Sequence, residues 1–392
     1  MMNPVKASQM IWKEKYNYLI YITNKSKIMK RKVYTSILFS LATLTATAQT
    51  QEIEVLEYHP APGQFVNTLP NADETTTHEE VCQRATKNLN NKEMVHLGTY
   101  GGYVTVKFDH PVQNKKGSDL RILGNGFYAN ADPVYGKETI GGSIEPGIVY
   151  VGVGDNVETA QWYELAGSEY YRGRQIFDFT ITYHKPTAES GEHNQEWSTY
   201  DNYIKWEATW TENGVKKDST GYHMKNSFHA QTYWPYWEKG ETMTFSGSKL
   251  PNNAIDQSHV GRYWVQYRYS KDSYGYVDGS TNEEDAATFD LDWAVDKNGK
   301  HVDLTEVNFI KVYTGIFQYC GWLGETSTEV AGFEDLHLIP GYDDNPIIIP
   351  TSITAPQAER KYDGAFYDLT GRKVEHPTRG IYIQNGKKIV IK

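Results

Sequence analysis

GGYVTVKFDHPV, residues Gly101–Val112, opens on two glycines and then alternates. Val104, Val106 and Phe108 fall on one side, and Tyr103, Thr105 and Lys107 on the other. A period of two is the signature of a β-strand. Downstream the same kind of segment recurs as DLRILGN (119–125), PGIVYVGV (146–153), WYELAG (162–167) and RQIFDFTITYH (174–184), each bounded by Gly, Pro, Asp or Asn. Further on, TFDLDWAVD (288–296) and TEVNFIKVYTG (305–315) flank the turn DKNGK. Upstream, residues 75–92 are the clearest helix candidate. Val81, Ala85 and Leu89 share one face, and Thr75 to Thr77 offer an N-cap followed by acids. With 30 Tyr, 10 Trp and 33 Gly among 392 residues, the chain reads as an all-β sandwich large enough to bury its own core.

The segment from about residue 185 to 285 breaks this rhythm. It holds six of the ten Trp and is cut by turns such as ENG and LPNN. It reads as a large aromatic-rich insertion into the sandwich, and insertions at loop tips tend to carry function. DDNPIIIPTSITAPQAERK is punctuated by Pro and reads as a linker, centred on 346–352. Residues 353–392 then form a small β unit with turns at LTGRK, PTRG and QNGKK. At the other end, Lys30, Arg31 and Lys32 precede an apolar run from Val33 to Leu44 and the triplet Ala46-Thr47-Ala48. This is the pattern of a secretory signal cleaved before Gln49, with Met29 as the start and residues 1–28 an upstream extension. The run is too short to span a bilayer. The expected layout is therefore 1–48 extension and signal, 49–345 sandwich with its insertion, 346–352 linker, and 353–392 C-terminal unit.

Charge narrows the partners. Residues 49–352 carry 23 basic and 44 acidic side chains, a net of −21. So acidic a body argues against nucleic acid or anionic lipid and suits a neutral ligand, a cationic ligand or Ca²⁺. The two cysteines, Cys82 and Cys320, could pair in an oxidising compartment or stand as separate buried thiols.

Two parts resemble known families. The C-terminal run Tyr367-Asp368-Leu369-Thr370-Gly371-Arg372, then Arg379-Gly380-Ile381-Tyr382 and Asn385-Gly386-Lys387-Lys388, is similar to the C-terminal sorting domain of secreted Bacteroidetes proteins. The blocks Leu97–Asn125, Glu145–Val153, Trp162–Tyr170, Phe289–Gly315 and Gly321–Leu336 resemble a family of Bacteroidetes cell-surface proteins. They also look like a discoidin-type, galactose-binding-like β-sandwich, or jelly roll. The resemblance implies a surface protein that accompanies cobalamin uptake and captures a cobamide beside a TonB-dependent outer-membrane transporter. The sandwich class equally implies glycan binding.

For the ligand site, the sequence singles out HAQTYWPYW (His229–Trp237). Tyr233, Trp234, Tyr236 and Trp237 surround Pro235, which cannot donate in a central ladder. A rigid aromatic loop would face a sugar or a corrin edge, whereas rings that pack inward would anchor the insertion. His229, Trp210 and Tyr222 complete the expected site, with His223 and His259 nearby as candidates for a cobalt or a phosphate. Asp290, Asp292, Asp296 and Asn298 lack the bidentate Glu of a helix-loop calcium site and read as a hairpin turn. GDNVETAQW (154–162) reads as a polar turn. A structural calcium is possible with unnamed ligands, and no cofactor is required. No G-x-S-x-G, H-E-x-x-H or phosphate-cradling loop occurs. The expectation is an exported, non-catalytic binding protein, at the cell surface, extracellular or periplasmic. Its ligand is a cobamide, or alternatively a carbohydrate. A glycan hydrolase using an acid pair is the third reading.

Overall fold

The computed structural model describes residues 51–128, 141–188, 192–193, 200–212, 214–226, 229, 231–257 and 264–342, and four paired strands within 366–391. The signal segment, the linker and His259 lie outside the described residues. The protein is all-β, and every strand pairing given for the described residues is antiparallel. GGYVTVKFDHPV supplies the strand Tyr103–Phe108. That strand is second in a six-stranded sheet, the central sheet. Its order is Ile53–His59, Tyr103–Phe108, Phe309–Thr314, Gly147–Val153, Gln161–Leu165 and Ala294–Val295.

Each face of this sheet is buried against a different layer. Val104 and Val106, Val149 and Val151, and Ile310 and Val312 point to one face. There they meet Leu120, Ile122, Phe289 and Phe333 of a three-stranded sheet, Thr288–Phe289, Leu120–Leu123 and Gly332–Asp335. The helix His78–Asn90 closes the same core with Val81, Cys82, Ala85 and Leu89. Its N-terminus carries the expected cap: the Thr77 hydroxyl accepts from Glu80 N, and the Glu80 carboxylate accepts from Thr77 N.

The residues between, Tyr103, Ile148, Tyr150 and Tyr313, point the other way. They meet Phe179, Ile181, Tyr183, Ile204 and Phe245 of the second large sheet. This sheet has Ile176–His184 between Tyr200–Glu212 and the edge strand Thr242–Lys249, with Val215–Asn226 beyond. The expected insertion boundary at 185 falls just after the strand at the middle of this sheet. The aromatic-rich segment thus forms most of a packed layer that shares a core with the central sheet. Residues 254–256 and 264–267 leave it to join Gly141–Ser143 and Phe127–Tyr128 in a further small sheet.

Several local readings agree with the structure. Asp296 Oδ1 accepts from Asn298 N at 2.8 Å and Lys300 N at 2.9 Å, so DKNGK is a turn whose carboxylate serves its own backbone. Residues 154–159 form the turn between the third and fourth of these strands in the chain, Gly147–Val153 and Gln161–Leu165. In the C-terminal unit, the strands order as Lys373–Val374, Phe366–Tyr367, Gly380–Gln384 and Lys387–Ile391. Gln384 pairs with Lys387. Cys82 and Cys320 are separate buried thiols. Burial pushes them up to about 11 and about 12.

Asp290 makes the fold pH-sensitive. It caps the turn Leu291–Trp293, accepting from Asp292 N at 2.8 Å. Burial pushes its carboxyl up to about 7, and the Asp119 and Asp292 charges add to the rise. An unfolded Asp titrates near ~3.9. The folded state therefore holds a proton that the unfolded chain gives up. That contribution is complete below about pH 4 and is lost as pH rises through about 7. Asp290→Asn keeps the cap and removes the titration. Its melting temperature should fall less than the wild type's between about pH 4 and 8; parallel melting profiles would contradict this origin.

Candidate functional site

The described residues of HAQTYWPYW lie outside any strand, as Pro235 suggested. Its rings do not form a solvent-facing platform. Tyr233 and Trp234, 0% and 3% exposed, belong to the core between the two large sheets. Trp237, 5% exposed, belongs to the other core and stacks on Tyr58 at 5.6 Å. Tyr236 packs half-buried against that same core. Asn67 fastens the segment: its Nδ2 donates to Thr232 O and Trp234 O, and its Oδ1 accepts from Tyr236 N. The expectation of exposed rings is corrected here. Once the indole N–H groups bond Glu238 O and Tyr58 O, burying the rings leaves no polar atom unpaid.

The other expected residues are dispersed. Trp210 packs beside Phe179 at 5.7 Å on the inner face of the second sheet. Tyr222 is 48% exposed on the strand Val215–Asn226. His229 sits edge-on to Phe65 at 4.9 Å. His223 is buried, 3.5 Å from Glu325. Burial works to raise the Glu325 carboxyl, but the His223 bond and charge, the His96 charge and the Gln64 amide outweigh it and hold it at about 2.

A ligand-sized opening lies elsewhere. A cleft of about 310 Å³ is lined by Gly101, Tyr103, Tyr150, Trp162, Lys311 and Tyr313 of the central region, and by Thr244, Phe245, Ser246 and Gly247 of the edge strand. Strand register explains the floor. Across the sheet, Glu57, Thr105, Lys311, Tyr150 and Glu164 are successive partners in one row. Tyr103 and Tyr313 pair in a neighbouring row. The Lys311 ammonium lies 4.4 Å from the Tyr103 ring centre and 4.7 Å from that of Trp162, a cation–π seat. Tyr150 and Ser248 both donate to Glu164 Oε2, at 3.0 and 2.6 Å. Burial raises the Glu164 carboxyl above its ordinary range, against those bonds. At the mouth, Gly101 has φ +91°, and a Cβ there would stand 2.3 Å from the Phe245 side chain. Only glycine lets Phe245 close that wall.

A second polar cluster is buried at the junction of the small sheets. Carboxylate oxygens of Glu145, Asp278 and Glu329 lie within 4.8 Å of one another. Burial, then the Glu145 charge, drives the Asp278 carboxyl well up. Asp278 accepts from Asn125 N at 2.7 Å, Gln266 donates to Glu145, and His96 Nε2 lies 3.3 Å from Glu329. Three oxygen donors of this kind suit a hard cation.

None of the residues expected from HAQTYWPYW or its neighbours lines the cleft. Six of its liners come from the central region and four from the edge strand Thr242–Lys249. The signal for them was present in the polar and aromatic residues that alternate with the valines: Tyr103, Tyr150, Lys311 and Tyr313. No family model matches the chain, and no curated protein matches it.

Trp237→Ala should cost about 3–5 kcal/mol of stability, the usual loss for a buried indole. Tyr222→Ala, on an exposed strand face, should stay within about 0.5 kcal/mol. Denaturant melts of the two variants test this assignment. A Trp237→Ala protein as stable as the wild type would show that the ring is not part of the core.

Proposed function

We propose that this is an exported, non-catalytic binding protein of the cell surface, and that its cleft holds a sugar ring. The cleft's lining carries the reading: Tyr103, Tyr150, Trp162, Phe245 and Tyr313 supply aromatic surface, and Lys311 supplies a polar group among them. Amphipathic rings with a few placed polar groups are what a sugar needs. The volume lies at the low end of the ~300–1,000 Å³ of small-molecule sites. It suits one or two sugar rings and is too small to enclose a cobamide, the ligand the family resemblance implied. Hydrolysis needs a carboxylate on each side of the scissile bond. The charged liner of this cleft is a lysine, which supports binding over catalysis. In this reading the central sheet and the three-stranded sheet are the two halves of a discoidin-like sandwich. A TonB-dependent transporter is the partner that would receive the ligand. For a structural calcium, Glu145, Asp278 and Glu329 are the candidate seat, on the strength of their donor set alone.

Trp162→Ala should weaken glycan binding about thirtyfold, the cost of truncating a central aromatic anchor. Its melting temperature should change much less than that of Trp237→Ala. Calorimetric titration against a glycan panel measures the effect. Protein that ignores every glycan yet stays red after mixing with cobamide and desalting would replace the sugar with the corrinoid.

A further inference from the structure

The geometry points to an acidic sugar, one whose ring carries a carboxylate or a sulfate ester, as the ligand of this cleft, with Lys311 as the residue that selects it. The inference rests on the sugar-binding reading above and adds the charge of the ligand.

Among the ten residues that line the cleft, Lys311 alone carries a formal charge. Its position is built rather than incidental. The strand Phe309–Thr314 lies in mid-sheet, flanked by Tyr103–Phe108 and Gly147–Val153. Its inward positions are otherwise apolar or aromatic. A lysine there is exposed by only 26% and stands between the Tyr103 and Trp162 rings. The rings fix where the ammonium sits and shield it from bulk water, so its attraction for an anion is stronger than that of a surface lysine.

Its neighbouring acids leave it available. Glu57 Oε2 is 3.5 Å from Lys311 Nζ, longer than a charge-assisted hydrogen bond. The same oxygen already accepts from Thr105 Oγ1 at 2.8 Å. On the other side of the row, Glu164 Oε2 accepts from both Tyr150 and Ser248. Burial works against its ionisation. The ammonium has three donors and, among the described residues, one long carboxylate contact beside its two rings. The body as a whole is strongly acidic and repels anions at a distance. An anionic group would therefore be held by this local contact and not by long-range steering. A sugar stacked on Trp162 or Tyr103 brings a substituent at its ring edge within reach of the same ammonium. A point charge of this kind accepts a carboxylate or a sulfate alike.

The test uses the full exported chain and calorimetric titration with three probes: trigalacturonate, its methyl ester and a 6-sulfated galactotriose. Wild type should bind the acid about tenfold more tightly than the neutral ester, and the preference should shrink as salt rises. The sulfated probe reports which anion fits better. Lys311→Met keeps the stem packed between the rings and should abolish the preference for acid over ester. Glu57→Gln removes the competing acid outside the cleft and should enlarge the preference. A wild type that binds acid and ester equally, or a Lys311→Met variant that keeps the preference, would overturn the inference while leaving sugar binding standing. Failure of all three probes and of every neutral glycan would instead remove the sugar reading itself.

Discussion

The structure depends on one constraint: the central sheet must be covered on both faces. Its middle strands alternate valine and isoleucine on one side with tyrosine on the other. Both sets are large and apolar enough to need burial. The three-stranded sheet and the helix His78–Asn90 cover the aliphatic face. The second large sheet covers the aromatic face with Phe179, Ile181, Tyr183 and Phe245. Two tyrosine hydroxyls bond across the layers. Tyr313 donates to Ser248 O at 2.8 Å and Tyr183 to Tyr100 O at 3.0 Å, so polar tips tie the layers together where the rings pack.

Coverage of the aromatic face is incomplete, and the cleft is what remains. The edge strand Thr242–Lys249 ends the second sheet, while the central sheet continues beneath it to Trp162. Aromatic surface that a longer sheet would have buried stays open along this edge. HAQTYWPYW works at another boundary. Tyr233 and Trp234 enter one core and Trp237 the other, and Asn67 holds the turn between them. The segment therefore fixes the placement of the layers, which in turn fixes the width of the cleft.

Most of the scaffold was readable from local pattern. Alternation located the strands around Val104, Val149 and Val312, and the cap at Thr77 located the helix. What pattern could not show was the second layer. Tyr103, Thr105 and Lys107 look like the wet face of a half-buried strand, because tyrosine and lysine serve equally at a surface and under another sheet. For the same reason, ring density singled out rings that the fold buries. Trp234 and Trp237 bury as readily as they bind, whereas Lys311 and Trp162 are far apart in sequence and meet only through register across several strands.

The central claim is that the aromatic-rich segment is a built layer over the central sheet and not an appended loop. Hydrogen exchange read by mass spectrometry tests it most directly. Peptides covering 176–183 and 242–249 should exchange as slowly as those covering 103–108 and 309–314, opening together in one cooperative unit. Fast exchange across 176–183 and 242–249, with the central sheet still protected, would show a loosely attached insertion and a cleft with no fixed wall.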